Sequence, residues 1–493
     1  MLRIDRLPLL LIFGFVTLLA AGELAAGTSV HFVSMMAVGV FSACITFNLL
    51  GGLRTMSGLA FTMFASSTLV VGQIVKALLF ERADQNLDVP QLTITVYAVF
   101  FLSLMVGCFL YAWVRLPLPH PYEPETSAQS RYLYFVSLVG GLVGSVALAV
   151  MTITGGAATD TLAHGFARAL SFLLPFSLVI AVDSRIRSTD GHHSIGWTAL
   201  WPALAMMFLG FTDARRLPLI EPILVIFLTL HLRNYRFRRR HYIAAGVFIA
   251  LFFLFISPFV LYARQWRGEG TLSGQTAAMV RALEAAPGQW STIEHNAAET
   301  AEGGSASVSY IAHLWAFTLN RFALIGPDST LINACSTGFH YRFTALRLDF
   351  LSSLPRFLYK NKPDIGSNEY LGHLDGQEGD QFTTTYSTIT PISDSFGAFG
   401  WLSVIAFPLI VMPAIYVVYE SCFDMRRAWG TVAAVMLMTS GGSMGDTIFA
   451  AMIRIPIYLI VLSWVTGWVI RMVPVTGDRV FALAGDRDPA QAV

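Results

Sequence analysis

Long apolar stretches recur along this chain at intervals of roughly 25 residues, and nothing constrains its fold more. A helix needs about 20 predominantly apolar residues to cross a bilayer core. Segments that meet or approach this requirement are Leu9–Ala26, Val30–Leu50, Ser57–Phe80, Leu92–Trp113, Tyr132–Thr154 and Ala167–Val182. Six more are Trp197–Phe211, Leu217–His231, Tyr242–Tyr262, Phe399–Tyr419, Thr431–Met452 and Ile455–Ile470. Composition agrees: 55% of the 493 residues are hydrophobic and 13% are charged, against about 25% charged in soluble domains. A water-solvated core cannot hide so much apolar surface, so lipid must be the solvent for much of it. The expected fold class is an all-α polytopic membrane protein with about twelve transmembrane helices.

Met1–Gly27 carries Arg3 and Arg6 before an apolar run, as a signal peptide does. The many spans that follow favour a first spanning helix instead. Orientation follows from the arginine and lysine bias of the short loops. Arg233, Arg236, Arg238, Arg239 and Arg240 crowd the connection between spans eight and nine. With that connection in the cytoplasm, alternation puts 17 of the 32 basic residues in inner segments and 6 in short outer ones. Both termini then lie inside. Residues 1–262 hold spans one to nine, 263–398 form one large extracytoplasmic loop, and 399–493 hold the last three spans and a cytoplasmic tail.

A net charge of +1 excludes a general basic field for nucleic acid. Of the four cysteines only Cys335 lies in the large loop, which excludes a disulfide framework there. No dense metal-ligand motif is present, so neither a metal nor another cofactor is expected. The large loop is not low-complexity throughout. Phe343, Leu346, Phe350, Leu354 and Phe357 recur at helical spacing among Arg342, Arg347, Arg356, Lys360 and Lys362. Such a basic amphipathic segment suits a membrane surface or a helix packed on the roof of the bundle. Pro355 should interrupt it.

The unusual charges share one side. Arg215 and Arg216 sit on the outer face beside Asp213, with Glu221 just inside span eight. Guanidinium groups there suit phosphate oxygens; an ion pair with Glu221 or Asp213 is the structural alternative. Arg321, Arg356 and Lys362 add cations in the loop, and His340, Glu369 and Asp394 are its candidate proton acceptors. Asp446, in span eleven, falls near Arg454 at the same outer end. A transporter would place binding groups near the midplane, whereas the inner halves of these spans are largely apolar.

Leu354-Pro355-Arg356-Phe357-Leu358-Tyr359-Lys360-Asn361-Lys362-Pro363 resembles the "IPR…KP" segment of bacterial O-antigen and exopolysaccharide polymerases of the Wzy type. Some thirty residues on, Pro391 to Trp401 resembles the "E-x-Y-x-x-F-G-x-x-G" stretch of those proteins. Asp394 stands in place of the Glu, Phe396 in place of the Tyr, and Ser403 in place of the last Gly. The resemblance implies a membrane-embedded glycosyltransferase of the type C class. Such an enzyme joins oligosaccharides carried on undecaprenyl pyrophosphate at the outer face of the bacterial inner membrane and requires no metal. A chain-length regulator would be a further partner. The related O-antigen ligases share the architecture and its chemical needs, and a flippase for lipid-linked sugars is the alternative from another class.

Overall fold

The computed structural model describes residues 7–78, 81–111, 114–122, 126–154, 173–189 and 191–212. It also describes 216–252 (without 234, 236 and 238), 324–344 (without 339), 389–440 (without 426), 455–472 and a few single positions. Among the described residues every regular element is a helix. In order they are α1 (Leu9–Ala25), α2 (Val30–Leu49), α3 (Met56–Ala65), α4 (Val71–Leu78), α5 (Pro90–Tyr111) and α6 (Thr126–Thr154). Then come α7 (Leu173–Ser188), α8 (Trp197–Thr212), α9 (Arg216–Leu232) and α10 (Arg239–Leu251). Next are α11 (Ile325–Ser336) and α12 (Pro391–Phe399), in the stretch expected to form the large loop. They are followed by α13 (Trp401–Ala406), α14 (Met412–Cys422), α15 (Ala428–Ser440) and α16 (Ile455–Met472).

Helix occupies nearly all of the described part of the segments that the sequence marks as apolar, with a break at Gly400. Among the described residues, four stretches are long and apolar enough, by length and composition, to cross a membrane: Val30–Leu49, Met56–Ile74, Pro90–Tyr111 and Trp401–Cys422. Two of them contain a π turn, Ser66–Val70 and Phe407–Val411, which joins α3 to α4 and α13 to α14. A π turn inserts one residue into the helical ladder and shifts the faces on either side. The second holds Pro408, which has no amide hydrogen to give.

Outward-facing positions are strongly apolar. Leu10 is 88% exposed, Leu18 74% and Trp197 84%. A soluble monomer does not tolerate apolar surface on this scale; a lipid environment does.

Two apolar cores lie side by side. One gathers α6 to α9 with α15 and α16 around Trp429, whose ring centroid is 5.1 Å from that of Phe176. The other gathers α2, α3, α5, α11 and α12 around a phenylalanine cluster in which Phe100 meets Phe64 at 5.9 Å and Phe407 at 6.4 Å. The α3 and α14 helices contribute to both: Leu59 and Tyr419 to the first, Phe64 and Tyr416 to the second.

Direction is fixed by contacts at the helix ends. Span α13–α14 runs parallel to α5, because Phe407 packs on Phe100 while Ser421 Oγ accepts from the Leu116 amide at 3.0 Å. The α2 helix also runs parallel to α5, with His31 and Thr95 3.0 Å apart near their starts and Leu49 and Tyr111 lining one cavity at their ends.

Candidate functional site

The loop helices α11 and α12 dock where α5 begins. Thr390 caps α12 by accepting the Ile392 amide on Oγ1 at 3.2 Å, and Pro391 takes the first helical position, where its missing amide hydrogen costs nothing. A buried carboxylate, Asp328 of α11, holds this start in place. Its Oδ1 accepts from the Thr390 amide at 2.9 Å and from Ser393 Oγ at 2.5 Å. Its Oδ2 accepts from Thr390 Oγ1 at 2.5 Å and from the Tyr97 hydroxyl of α5. Next to it, Ser329 Oγ accepts from the Val89 amide at 3.2 Å and from Thr93 Oγ1 at 3.1 Å. Burial pushes the Asp328 carboxyl above its ordinary range, and the four hydrogen bonds oppose that rise.

Asp394 follows one residue after Ser393 and is half-buried. The Tyr341 hydroxyl donates to Asp394 Oδ1 at 2.5 Å and lies 2.7 Å from its backbone carbonyl oxygen. Two backbone bonds hold the tyrosine there: the Tyr341 amide donates to Gly397 O at 3.1 Å and the Arg342 amide to Ala398 O at 3.0 Å. Desolvation pushes the Asp394 carboxyl up to about 6; the Tyr341 hydrogen bond pulls it down and the charge of Asp328 pushes it up. A carboxyl with that proton affinity is suited to accept a proton near neutral pH.

The neighbouring side chains complete one surface. The His340 ring meets Phe396 edge-on with centroids 6.1 Å apart, and its buried Nδ1 has no hydrogen-bond partner among the described residues. Its other edge lies against Gly400, where a Cβ would come within 3.2 Å of Nε2. Gly400 ends α12 at φ +61, a conformation that suits glycine. Ser403, which replaces the last glycine of the resemblance, bridges this break: its Oγ accepts from the Phe399 amide at 3.1 Å and donates to Ser395 O. Phe343, expected to open the amphipathic segment, meets Phe399 at 4.6 Å. Exposed Arg342 sits beside this group at φ +53.

The structure thus brings together two of the expected residues, His340 and Asp394. Arg216 opens α9. Arg215, Arg321, Arg356, Lys362 and Glu369 lie outside the described residues, as do Asp213, Asp446, Arg454 and most of the amphipathic segment. Sequence reasoning missed Asp328, Tyr341 and Tyr97. A signal for Asp328 was present: between Arg321 and Arg342 it is the one formal charge with histidine neutral. Tyr97 gives no such signal in an aromatic-rich apolar helix.

Polar contacts also join the opposite helix ends. The buried Asp183 carboxylate of α7 pairs with Arg187 at 3.0 Å and with Arg233, which also donates to Arg427 O at 3.0 Å. Glu420 Oε1 accepts from the Ser57 amide and hydroxyl, both at 2.9 Å. A cavity of about 60 Å³ lies on one side of Glu420, toward Arg115, and another of about 230 Å³ on the other, toward Arg427. Neither is lined by Asp394. Among the described residues no three histidine, cysteine or acidic side chains are arranged to hold a metal.

No family model, no curated protein and no solved structure matches this chain.

Proposed function

We propose that the chain is a polysaccharide repeat-unit polymerase of the inner membrane, acting on undecaprenyl-pyrophosphate-linked oligosaccharides at its outer face. The observation that carries this reading is Asp394. It is a half-buried carboxyl held by Tyr341, with a proton affinity near neutrality, in the stretch that resembles Wzy-type polymerases. In the reaction an acceptor sugar hydroxyl attacks the anomeric carbon of the lipid-linked glycan. The new carbon–oxygen bond forms as the bond from that carbon to the pyrophosphate oxygen breaks. Asp394 takes the hydroxyl proton, and the bonding electron pair leaves with undecaprenyl pyrophosphate. Negative charge grows on the leaving group, and fixed cations stabilise it. Arg215, Arg216, Arg321, Arg356 and Lys362 are assigned that part on sequence grounds, with His340 and Glu369 as further proton carriers.

Twelve spans with both termini inside fit this reading. The α2, α5 and α13–α14 helices, counted as spans two, four and ten, run parallel. Ser57, Glu420, Asp183, Arg233 and Arg427 all fall at ends counted as cytoplasmic, where Ser57 bonds Glu420 and Arg233 joins Asp183 to the Arg427 carbonyl. The Asp394 surface then faces outward, where lipid-linked repeat units are joined.

The test is a gel profile of surface and lipid-linked glycans from a strain lacking the chain, complemented with the wild type, Asp394→Asn or Arg356→Ala. The expected result is a long ladder with the wild type and single repeat units with either variant. Long polymer left on its carrier in the deletion strain would mean a ligase, and units trapped on the cytoplasmic face would mean a flippase. An unchanged profile would overturn the glycan reading altogether.

A further inference from the structure

Asp394 belongs to the first turn of α12 and Asp328 of α11 holds that turn, yet only Asp394 reaches the surface. Asp328 is fully buried, and its contacts are spread over three elements: Tyr97 on α5, its own helix α11, and Thr390 with Ser393 at the start of α12. We infer that Asp328 is a positioning residue for Asp394, fixing that carboxyl to the outer end of α5 and setting the electrostatic field in which it works. The inference rests on the reading of Asp394 as the proton acceptor.

The physical case begins with cost. Removing an ionised carboxylate from water is expensive, and a well-packed apolar side chain of similar volume often joins the same helices with equal or greater stability. Apolar packing is plentiful here, since Ile325, Leu331 and Ile332 of α11 already lie in the core shared with α5. What an apolar residue could not do is hold the Thr390 amide, the Thr390 hydroxyl and the Ser393 hydroxyl in fixed directions. These groups define the first turn of α12, and Asp394 is the next residue along. A base must be held within a few tenths of an ångström of its productive position, and a rigid first turn does that for a group whose side-chain support among the described residues is Tyr341.

Charge adds a second effect. Among the described residues, the titratable and charged groups around Asp394 are Tyr341 and, behind the helix start, Asp328 with Tyr97; His340 and Arg342 flank Tyr341 in sequence. The negative charge of Asp328 favours the protonated form of Asp394, in the same sense as burial, and the Tyr341 hydroxyl opposes both. Replacing Asp328 with a neutral isostere therefore lowers the proton affinity of Asp394. A residue that only held the fold together would have no such effect.

The experiment measures polymer formation from lipid-linked repeat units in membranes, on both sides of about pH 6. Wild type, Asp328→Asn, Ser393→Ala and Asp394→Asn are compared. Asp328→Asn is expected to move the acid limb of the rate profile down by a fraction of a pH unit and to lower the plateau. Ser393→Ala, which removes a donor from Asp328 and leaves its charge less favoured, moves the limb the same way by less. If Asp328→Asn is lost from the membrane, Ser393→Ala decides alone. Rates reduced in equal proportion at every pH, with the limb unmoved, overturn the inference. Full activity in Asp394→Asn overturns the reading beneath it, and that outcome is distinct because it does not depend on Asp328.

Discussion

The aromatic ring of Tyr341 lies directly on the Cα of Gly397: a Cβ at position 397 would stand 2.3 Å from the ring. No other residue lets the tyrosine hydroxyl reach Asp394. Gly397→Ala is therefore expected to displace Tyr341 and break its bond to Asp394, at about 1–3 kcal/mol of overpacking. Losing that donor raises the proton affinity of Asp394 further. The acid limb of the rate profile moves above about 6, the opposite of the shift expected for Asp328→Asn. Rate profiles of the two variants side by side check both signs.

Arg342 holds a left-handed backbone at φ +53. That conformation costs an L-residue about 1 kcal/mol relative to glycine. Arg342→Gly is expected to raise the thermal midpoint of the detergent-solubilised protein by about one degree. A fall instead would mean that contacts of the arginine side chain outweigh the backbone strain.

Asp394 also links stability to pH. Its carboxyl is raised from 3.8 to about 6 by folding, so the folded state binds the proton more tightly than the unfolded chain. The stabilisation is complete below pH 3.8 and is lost as pH rises through about 6. The thermal midpoint of the wild type should decline across that window more than that of Asp394→Asn. Parallel curves for the two proteins would refute the raised proton affinity.

The opposite helix ends depend on a buried carboxylate of another kind. Asp183 is fully buried and pairs with Arg187 and Arg233. Removing one partner of a buried pair costs about 3–5 kcal/mol, because the remaining charge has lost its compensation. Asp183→Leu is expected to lower stability on that scale, and Asp183→Leu with Arg233→Met to recover part of it. Thermal unfolding of the two variants in detergent measures the difference. Equal losses would mean that the charge on Arg233 carries no penalty once Asp183 is gone.

Local chemistry was readable from the chain alone. A run of about 20 apolar residues declares a helix for lipid without reference to anything distant, and helices occupy nearly all of those runs where residues are described. Asp394 could be named as a candidate for the same reason, since its charge and the motif around it depend on neighbours in sequence, whereas the Thr390 cap and the Gly400 break came only from the structure. The sequence also showed Asp328 as an isolated charge, but not what it was for. Its partners Tyr97, Thr390 and Ser393 lie 231, 62 and 65 residues away. Tyr341 meets Asp394 across 53 residues. No periodicity records such pairings, because each exists only after α11, α12 and the residue 340–342 segment have packed on the end of α5. The sequence determined that the chain forms apolar helices and that Asp394 lies where a loop helix meets a long apolar one. Tertiary packing alone decided that the turn carrying Asp394 would be held by a second, buried aspartate, because its hydroxyl and amide partners are distant in sequence.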